Sequence, residues 1–330
     1  MTRKERVRLA AEHKEADVVP YYIRFMAPGP IAKYLGDDNF EENFGNHFGI
    51  FRPRFSEKNA DGIPSEFGVP FDATRTGQGT YINEDNLYSF PFPDVNDDKY
   101  WVGYDEMLVK MKDRYQFFDI SGTMFERAYS LHGYQQTLED MMLEKDFMNK
   151  LFDRILEFDL AFLEKGLKYP VDGVRFGDDW GTQKNMLMPP NIWRELIKPR
   201  MKILFETCRK AGKTTLLHSC GNIEEVIPDL IEIGLTILEP IQPEVMDVYK
   251  LKEEYGKDIA FWGGVSMQRV LAYGTPEEVE YEISHKLEIL GKDGGYICGP
   301  SHAVTVDVPV ENNAAMINVL RNQKARGDSL

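Results

Sequence analysis

Thr214-Thr215-Leu216-Leu217-His218-Ser219-Cys220-Gly221-Asn222 is the stretch on which the reading of this chain turns. Two β-branched residues and two leucines predict a short buried strand. The strand then delivers an imidazole and a thiol two residues apart, which extended backbone turns toward one face. Working outward, the same unit recurs. A strand near Val171–Gly177 precedes a helix over Ile192–Lys210, introduced by the stop and cap signals of Pro189-Pro190-Asn191. The central strand leads to a helix over Ile223–Ile233 closed by Gly234, and the strand Thr236–Leu238 to a helix over Val245–Tyr255 closed by Gly256. Ile259–Trp262 leads to a short helix around Met267–Ala272, then to a capped helix opening at Thr275-Pro276-Glu277-Glu278 and reaching Leu290. The strand Tyr296–Cys298 and a closing helix over Val310–Leu320 complete the series. Strands separated by helices of this length predict parallel βαβ units.

The first half is less regular. A helix over Thr2–His13, a strand over Asp17–Arg24, polar strands or a hairpin over Gln78–Phe90, a helix over Tyr104–Tyr115, a strand over Gln116–Ile120 and two amphipathic helices over Leu138–Leu167 are expected. The economical assembly is α/β: one domain over residues 1–330, a (β/α)8 TIM barrel with N-terminal helical and hairpin decorations. The rival, an open doubly wound sheet, lacks a Gly-x-Gly-x-x-Gly phosphate turn.

The composition is that of an ordinary globular chain: 330 residues, 42% hydrophobic and 28% charged. A net charge of -15 argues against nucleic acid or an anionic membrane as partner. No run approaches the roughly 18 apolar residues of a membrane span, and the opening Met1-Thr2-Arg3-Lys4-Glu5-Arg6 has no signal-peptide core. Three cysteines imply no disulfide framework, so a reducing cytoplasm is the expected location.

His218-x-Cys220 is a compact zinc half-site, since the metal takes imidazole nitrogen and thiolate sulfur together. Further ligand candidates stand at or just past other strand ends: Glu239, Cys298 and His302. Cys208 lies within a helix and reads as packing, as do His47 and His132 as structural histidines. Asp178, Asp179 and Gln183 follow a strand end and could hydrogen-bond a phenol or orient His218; the competing reading is a tight turn. Tyr22, Phe25, Trp180, Met186 and Met188 could wall an aromatic-binding pocket, or simply fill core. Asn222 reads as an N-cap. Trp262-Gly263-Gly264 reads as close backbone approach to a ligand or as tight packing.

Several strings resemble the uroporphyrinogen decarboxylase superfamily and, within it, its zinc-dependent, corrinoid-linked methyltransferase branch. They are Gly177-Asp178-Asp179-Trp180-Gly181-Thr182-Gln183, the His218-to-Asn222 motif, Pro240-Ile241-Gln242-Pro243, Phe261-Trp262-Gly263-Gly264-Val265, Gly274-Thr275-Pro276-Glu277-Glu278-Val279 and Gly299-Pro300-Ser301-His302. The resemblance implies a TIM barrel with its site at the C-terminal strand ends. It also implies zinc on His218, Cys220 and a third ligand near the last strand. The motif position falls on His302, with Cys298 four residues earlier; Glu239 matches a carboxylate ligand of methionine-synthase-type relatives. Where porphyrinogen decarboxylases carry several arginines after the first strand, this chain has Tyr21-Tyr22-Ile23-Arg24-Phe25-Met26-Ala27-Pro28, with Arg24 alone. A polycarboxylate needs several cationic partners.

The function implied is therefore transfer of a methyl group from a small methoxylated, aromatic substrate to a corrinoid held by a separate protein. Asp178, Asp179 and Glu239 would serve the chemistry, and Tyr22, Arg24, Trp180, Gln183 and Met186 the substrate. The alternatives are a methylcobalamin:thiol methyltransferase using the same zinc, a decarboxylase-like enzyme, and a ligand-binding barrel without catalysis.

Overall fold

Short apolar runs become strands here because both of their faces are covered, the rule for parallel sheets. The structure is a computed structural model and describes residues 1–37, 39–53, 67 and 79–325. Its strands are β1 (Phe48–Phe51), β2 (Tyr115–Asp119), β3 (Gly173–Gly177), β4 (Thr214–His218), β5 (Ile237–Ile241), β6 (Ala260–Val265) and β7 (Tyr296–Pro300). They form one parallel sheet in chain order.

The segment from Pro20 to Phe25 joins the two edges of that sheet. On one side Cys298 N donates to Pro20 O (2.8 Å) and Tyr22 N to Cys298 O (3.0 Å); on the other, His47 N donates to Tyr21 O (3.1 Å). A second bridge couples Phe25 to Val304. The expected strand over Asp17–Arg24 thus supplies the eighth stave of the α/β barrel in place, but as isolated bridges instead of a regular ladder. Pro20 lacks the N–H that a regular strand would need there.

Alternation along the strands makes two cores. Phe48, Phe117, Leu216, Ile237, Ala260, Trp262 and Ile297 pack inside the ring, and the first helix, Arg3–Ala11, adds Val7 and Ala10 at its N-terminal mouth. The intervening residues, among them Val174, Phe176, Leu217, Leu238, Phe261 and Cys298, face the helices. Stepping two residues from Phe117, Leu216 and Ile237 therefore brings Asp119, His218 and Glu239 to the inner face of the C-terminal mouth.

Helix ends follow local signals. Thr2 with Glu5 and Thr275 with Glu278 form complete capping boxes at Arg3–Ala11 and Pro276–Ile289. Three expectations are corrected. The helix over Tyr104–Tyr115 stops at Lys110, and Tyr115 opens β2. The helices over Leu138–Leu167 run Tyr134–Leu143 and Lys145–Gly166, preceded by Met124–His132. The hairpin over Gln78–Phe90 is not formed: Gln78 lies outside the described residues, and 79–90 is coil and turn. There the backbone of Tyr81 and Ile82 donates to Leu131 O, at 2.9 Å each, instead of to a strand partner. No helix among the described residues is long and apolar enough to cross a membrane.

Candidate active site

The loops after β3 and β4 lie backbone against backbone. Gly181 N donates to Cys220 O (3.1 Å) and Asn222 N to Thr182 O (2.8 Å). The contact requires two glycines. A Cβ on Gly221 (φ +82°) would stand 2.4 Å from Gly181 C, and one on Gly181 would stand 2.6 Å from Cys220 O. This grip places Asp179 beside Cys220, whose backbone N–H donates to Asp179 Oδ1 (2.9 Å).

Three donors of different chemistry then converge. His218 Nε2 lies 3.3 Å from Cys220 Sγ and 3.6 Å from Asp179 Oδ1. The ligand atoms of Asp179, His218 and Cys220 all lie within 4.8 Å of one another. For a tetrahedral ion with bonds of about 2.0–2.3 Å, the ligand–ligand edges are about 3.4–3.6 Å. The donor set therefore fits a metal of zinc's size and ligand preference.

Behind this cluster runs a buried chain of charges. His218 Nδ1 lies 3.0 Å from Glu239 Oε1, close but off the line of a hydrogen bond. Arg175 Nε donates to Glu239 Oε2 (3.0 Å) and Arg175 Nη1 to Asp119 Oδ1 (3.1 Å). Arg52 adds a looser contact to Asp119 at 3.6 Å. Burial works against the charge on every member of the chain. Even so, Glu239 and Asp119 hold Arg175 above its ordinary value, and Arg175 and Arg52 keep Asp119 below its own. Arg175 and His218 likewise lower Glu239, and Glu239 and Cys220 raise His218 well above the usual imidazole range. Burial lowers Arg52.

This inner ring opens into a cavity of about 510 Å³ at the C-terminal mouth. His218, Glu239 and Arg175 form one part of its lining; Tyr22, Arg24, Trp262 and His302 form another. Tyr22 stacks on Phe48 at 4.4 Å between centroids and meets Trp262 edge-on at 5.2 Å. Arg24 is exposed and makes no ion pair among the described residues.

The remaining sequence candidates are distributed differently. Cys298 is fully buried in the helix-facing core, where burial pushes its thiol up to about 12. The structure does not bring it to His218. His302 is exposed at the rim, its ring centroid 6.4 Å from that of His218. Asp178 is fully buried and accepts from Phe125 N (2.9 Å), Glu126 N (2.7 Å) and Trp180 Nε1 (2.6 Å). It thereby caps the helix Met124–His132, and burial with the Glu126 charge raises its carboxyl to about 8. Trp180 packs against Trp193 at 5.1 Å, Met186 is buried in the same shell, and Gln183 is exposed on the loop. None of the three lines the cavity. Cys208 is packing, buried on its helix. His132 is held by Asp140 (2.7 Å) and Ile82 O (2.6 Å).

Residues 107–323 match the uroporphyrinogen decarboxylase (URO-D) family. The chain belongs to that family. It is 22% identical over 243 residues to the uroporphyrinogen decarboxylase of Christiangramia forsetii, covering 70% of this chain and 67% of that protein. It is 21% identical over 173 residues to the methylcobamide:CoM methyltransferase MtaA of Methanosarcina barkeri, covering 52% of this chain and 48% of that one. This chain thus spans between about half and two thirds of the curated relatives it matches. The fold is shared with a methyltransferase from Methanosarcina mazei, at a TM-score of 0.72 and 18% identity over 97% of this chain and 98% of that one.

Within this URO-D barrel, Arg52, Asp119 and Arg175 were not singled out from the sequence. For two of them a signal was present: Asp119 and Arg175 are lone charges inside otherwise apolar strands, a pattern that marks an inward residue at a barrel mouth. Arg52 follows β1, a strand too short to be recognised.

Proposed function

We propose that this chain is a methyltransferase that takes the methyl group of a small methoxylated aromatic to the cobalt of a corrinoid carried by a partner protein. Asp179, His218 and Cys220 would hold zinc. The observation that carries this reading is the meeting of those oxygen, nitrogen and sulfur donors beside the cavity at the C-terminal strand ends. Three protein ligands leave one tetrahedral position for substrate. Zinc held there would supply a Lewis acid for the departing oxygen.

The chain's own groups do the positioning. Glu239, fixed by Arg175, orients the His218 ring and favours Nδ1–H, leaving Nε2 for the metal. Metal binding must displace a proton from His218, because the charges around it favour imidazolium. Tyr22 and Trp262 line the cavity, with Phe48 packed behind them, as an aromatic wall suited to a ring substrate. Burial raises the Tyr22 hydroxyl, so it stays protonated and can donate to an oxygen at that wall.

Porphyrinogen decarboxylation fits less well. The cavity holds three arginines, more than the first stave alone suggests, but Asp119 and Glu239 offset Arg175 and Arg52. Among the described residues, Arg24 alone is left for substrate carboxylates.

The test is a zinc-loaded preparation mixed with a reduced corrinoid protein and a panel of methoxylated aromatics, following conversion of Co(I) to methyl-Co(III) by absorbance. Conversion with an aryl methyl ether supports the proposal. Activity confined to thiols with methylcobalamin would move the reading to a thiol methyltransferase. A chain that binds no zinc and turns over neither would be a binding barrel.

A further inference from the structure

A second cavity, of about 300 Å³, lies at the rim of the N-terminal mouth, where the first helix closes the barrel. Arg3 and Arg6 reach it from that helix, Tyr21 from the eighth stave, and Arg321 from the end of the last helix, Val310–Arg321. The charges there do not cancel. Arg6 is held by Asp17 through two hydrogen bonds of 2.7 Å, and Arg3 by Asp113 at 3.1 Å. Arg321 has no hydrogen bond or ion pair among the described residues, so three guanidinium groups face two carboxylates. This excess sits on a chain of net charge -15, which makes it a local feature and not part of a basic surface.

A second observation is independent of the charge. Tyr21 is only 5% exposed, yet its hydroxyl has no hydrogen-bond partner among the described residues while the residue lines the cavity. Gly45 (φ +96°) keeps the space beside it open, since a Cβ there would stand 2.8 Å from the Tyr21 oxygen. The hydroxyl stands open to the cavity, where a ligand oxygen would give it a partner. His47 lines the same cavity. Burial, followed by the fields of Arg6 and Arg3, pushes its ring down to about 3, so it is neutral and adds no charge of its own.

We propose that this cavity binds a phosphate-type oxyanion, free or as the terminal group of a small phosphate ester, through Arg321, Arg3 and the Tyr21 hydroxyl. Donors converging from three separate elements suit a tetrahedral oxyanion better than a planar carboxylate, which one arginine fork can satisfy. The bound anion would tie the first helix to the last and so stabilise the closed N-terminal mouth.

The experiment is isothermal titration calorimetry of the whole chain with inorganic phosphate at constant ionic strength, and with AMP in a parallel arm. Saturable one-site binding of either probe is expected. It should weaken about tenfold or more in Arg321→Ala, weaken also in Tyr21→Phe, and remain unchanged in Arg24→Ala, which alters the C-terminal cavity. Binding of both probes points to free phosphate or an ester alike, whereas binding of AMP alone names an ester as the ligand. Melting temperatures without phosphate check that each variant is folded. No saturable binding of either probe, binding indifferent to Arg321→Ala, or loss in Arg24→Ala alone would overturn the proposal.

Discussion

Glu239→Gln separates the orienting role of this carboxylate from everything around it. Glutamine keeps the shape and loses the charge. In the native protein Glu239 reaches His218 Nδ1 at 3.0 Å with one oxygen and Arg175 Nε at 3.0 Å with the other. Loss of such a partner behind a metal-binding histidine weakens metal affinity by about 10–100-fold, or roughly 1.4–2.7 kcal/mol. Arg175 would keep Asp119 at 3.1 Å, so the buried cation retains one of its two counter-charges. The stability cost should therefore fall below the roughly 3–5 kcal/mol of a fully broken buried pair, at about 1–3 kcal/mol. Zinc affinity is measured by competition with a chromophoric chelator, and stability by urea unfolding of the metal-free protein. A folded variant whose zinc affinity stays within about twofold of the parent would refute the idea that Glu239 positions His218.

Asp178→Asn should destabilise by about 1–3 kcal/mol and leave metal content unchanged, because Asp178 caps a helix and holds Trp180; lost turnover with unchanged stability would instead give it a chemical role. Cys298→Ser should leave zinc bound, since Cys298 faces the helices, and His302→Ala should weaken substrate handling more than metal binding; metal analysis of both variants checks this. Gly181→Ala should disrupt the metal cluster without touching a ligand, because its Cβ would collide with Cys220 O, and retained zinc would count against the inter-loop grip. Asp17→Asn should cost no more than about 1 kcal/mol at pH 7. Arg6 holds the Asp17 carboxyl well below its ordinary value, so the parent's advantage is present above the normal carboxylate pKa and is lost progressively as pH falls from there toward the lower folded-state value; urea midpoints across pH 2–7 would show the gap between the two curves narrowing toward the acid end.

The second half of the fold was legible because each strand is a covered apolar run and several helices carry capping signals, as Thr275 with Glu278 does. The first half was not. Phe48-Gly49-Ile50-Phe51 is a four-residue strand whose identity comes from its neighbour β2. The stretch around Gly79–Phe90 carries strand-like residues but has no ladder partner among the described residues. In the site, His218 and Cys220 could be read together because both follow one strand end. The choice among Cys298, His302 and Glu239 depended on which way each side chain faces. Tyr296-Ile297-Cys298 is apolar throughout, so its period of two leaves no mark in the sequence; only the register shows Ile297 inward and Cys298 outward. Asp179 reaches Cys220 through a contact between two loops, which no strand pattern encodes.

The most direct measurement is X-ray absorption at the zinc edge of the metal-loaded chain, which counts sulfur ligands. Coordination by Asp179, His218 and Cys220 requires one sulfur at about 2.3 Å, with the remaining ligands nitrogen or oxygen near 2.0–2.1 Å. A centre with two sulfurs, or one with none, would contradict it.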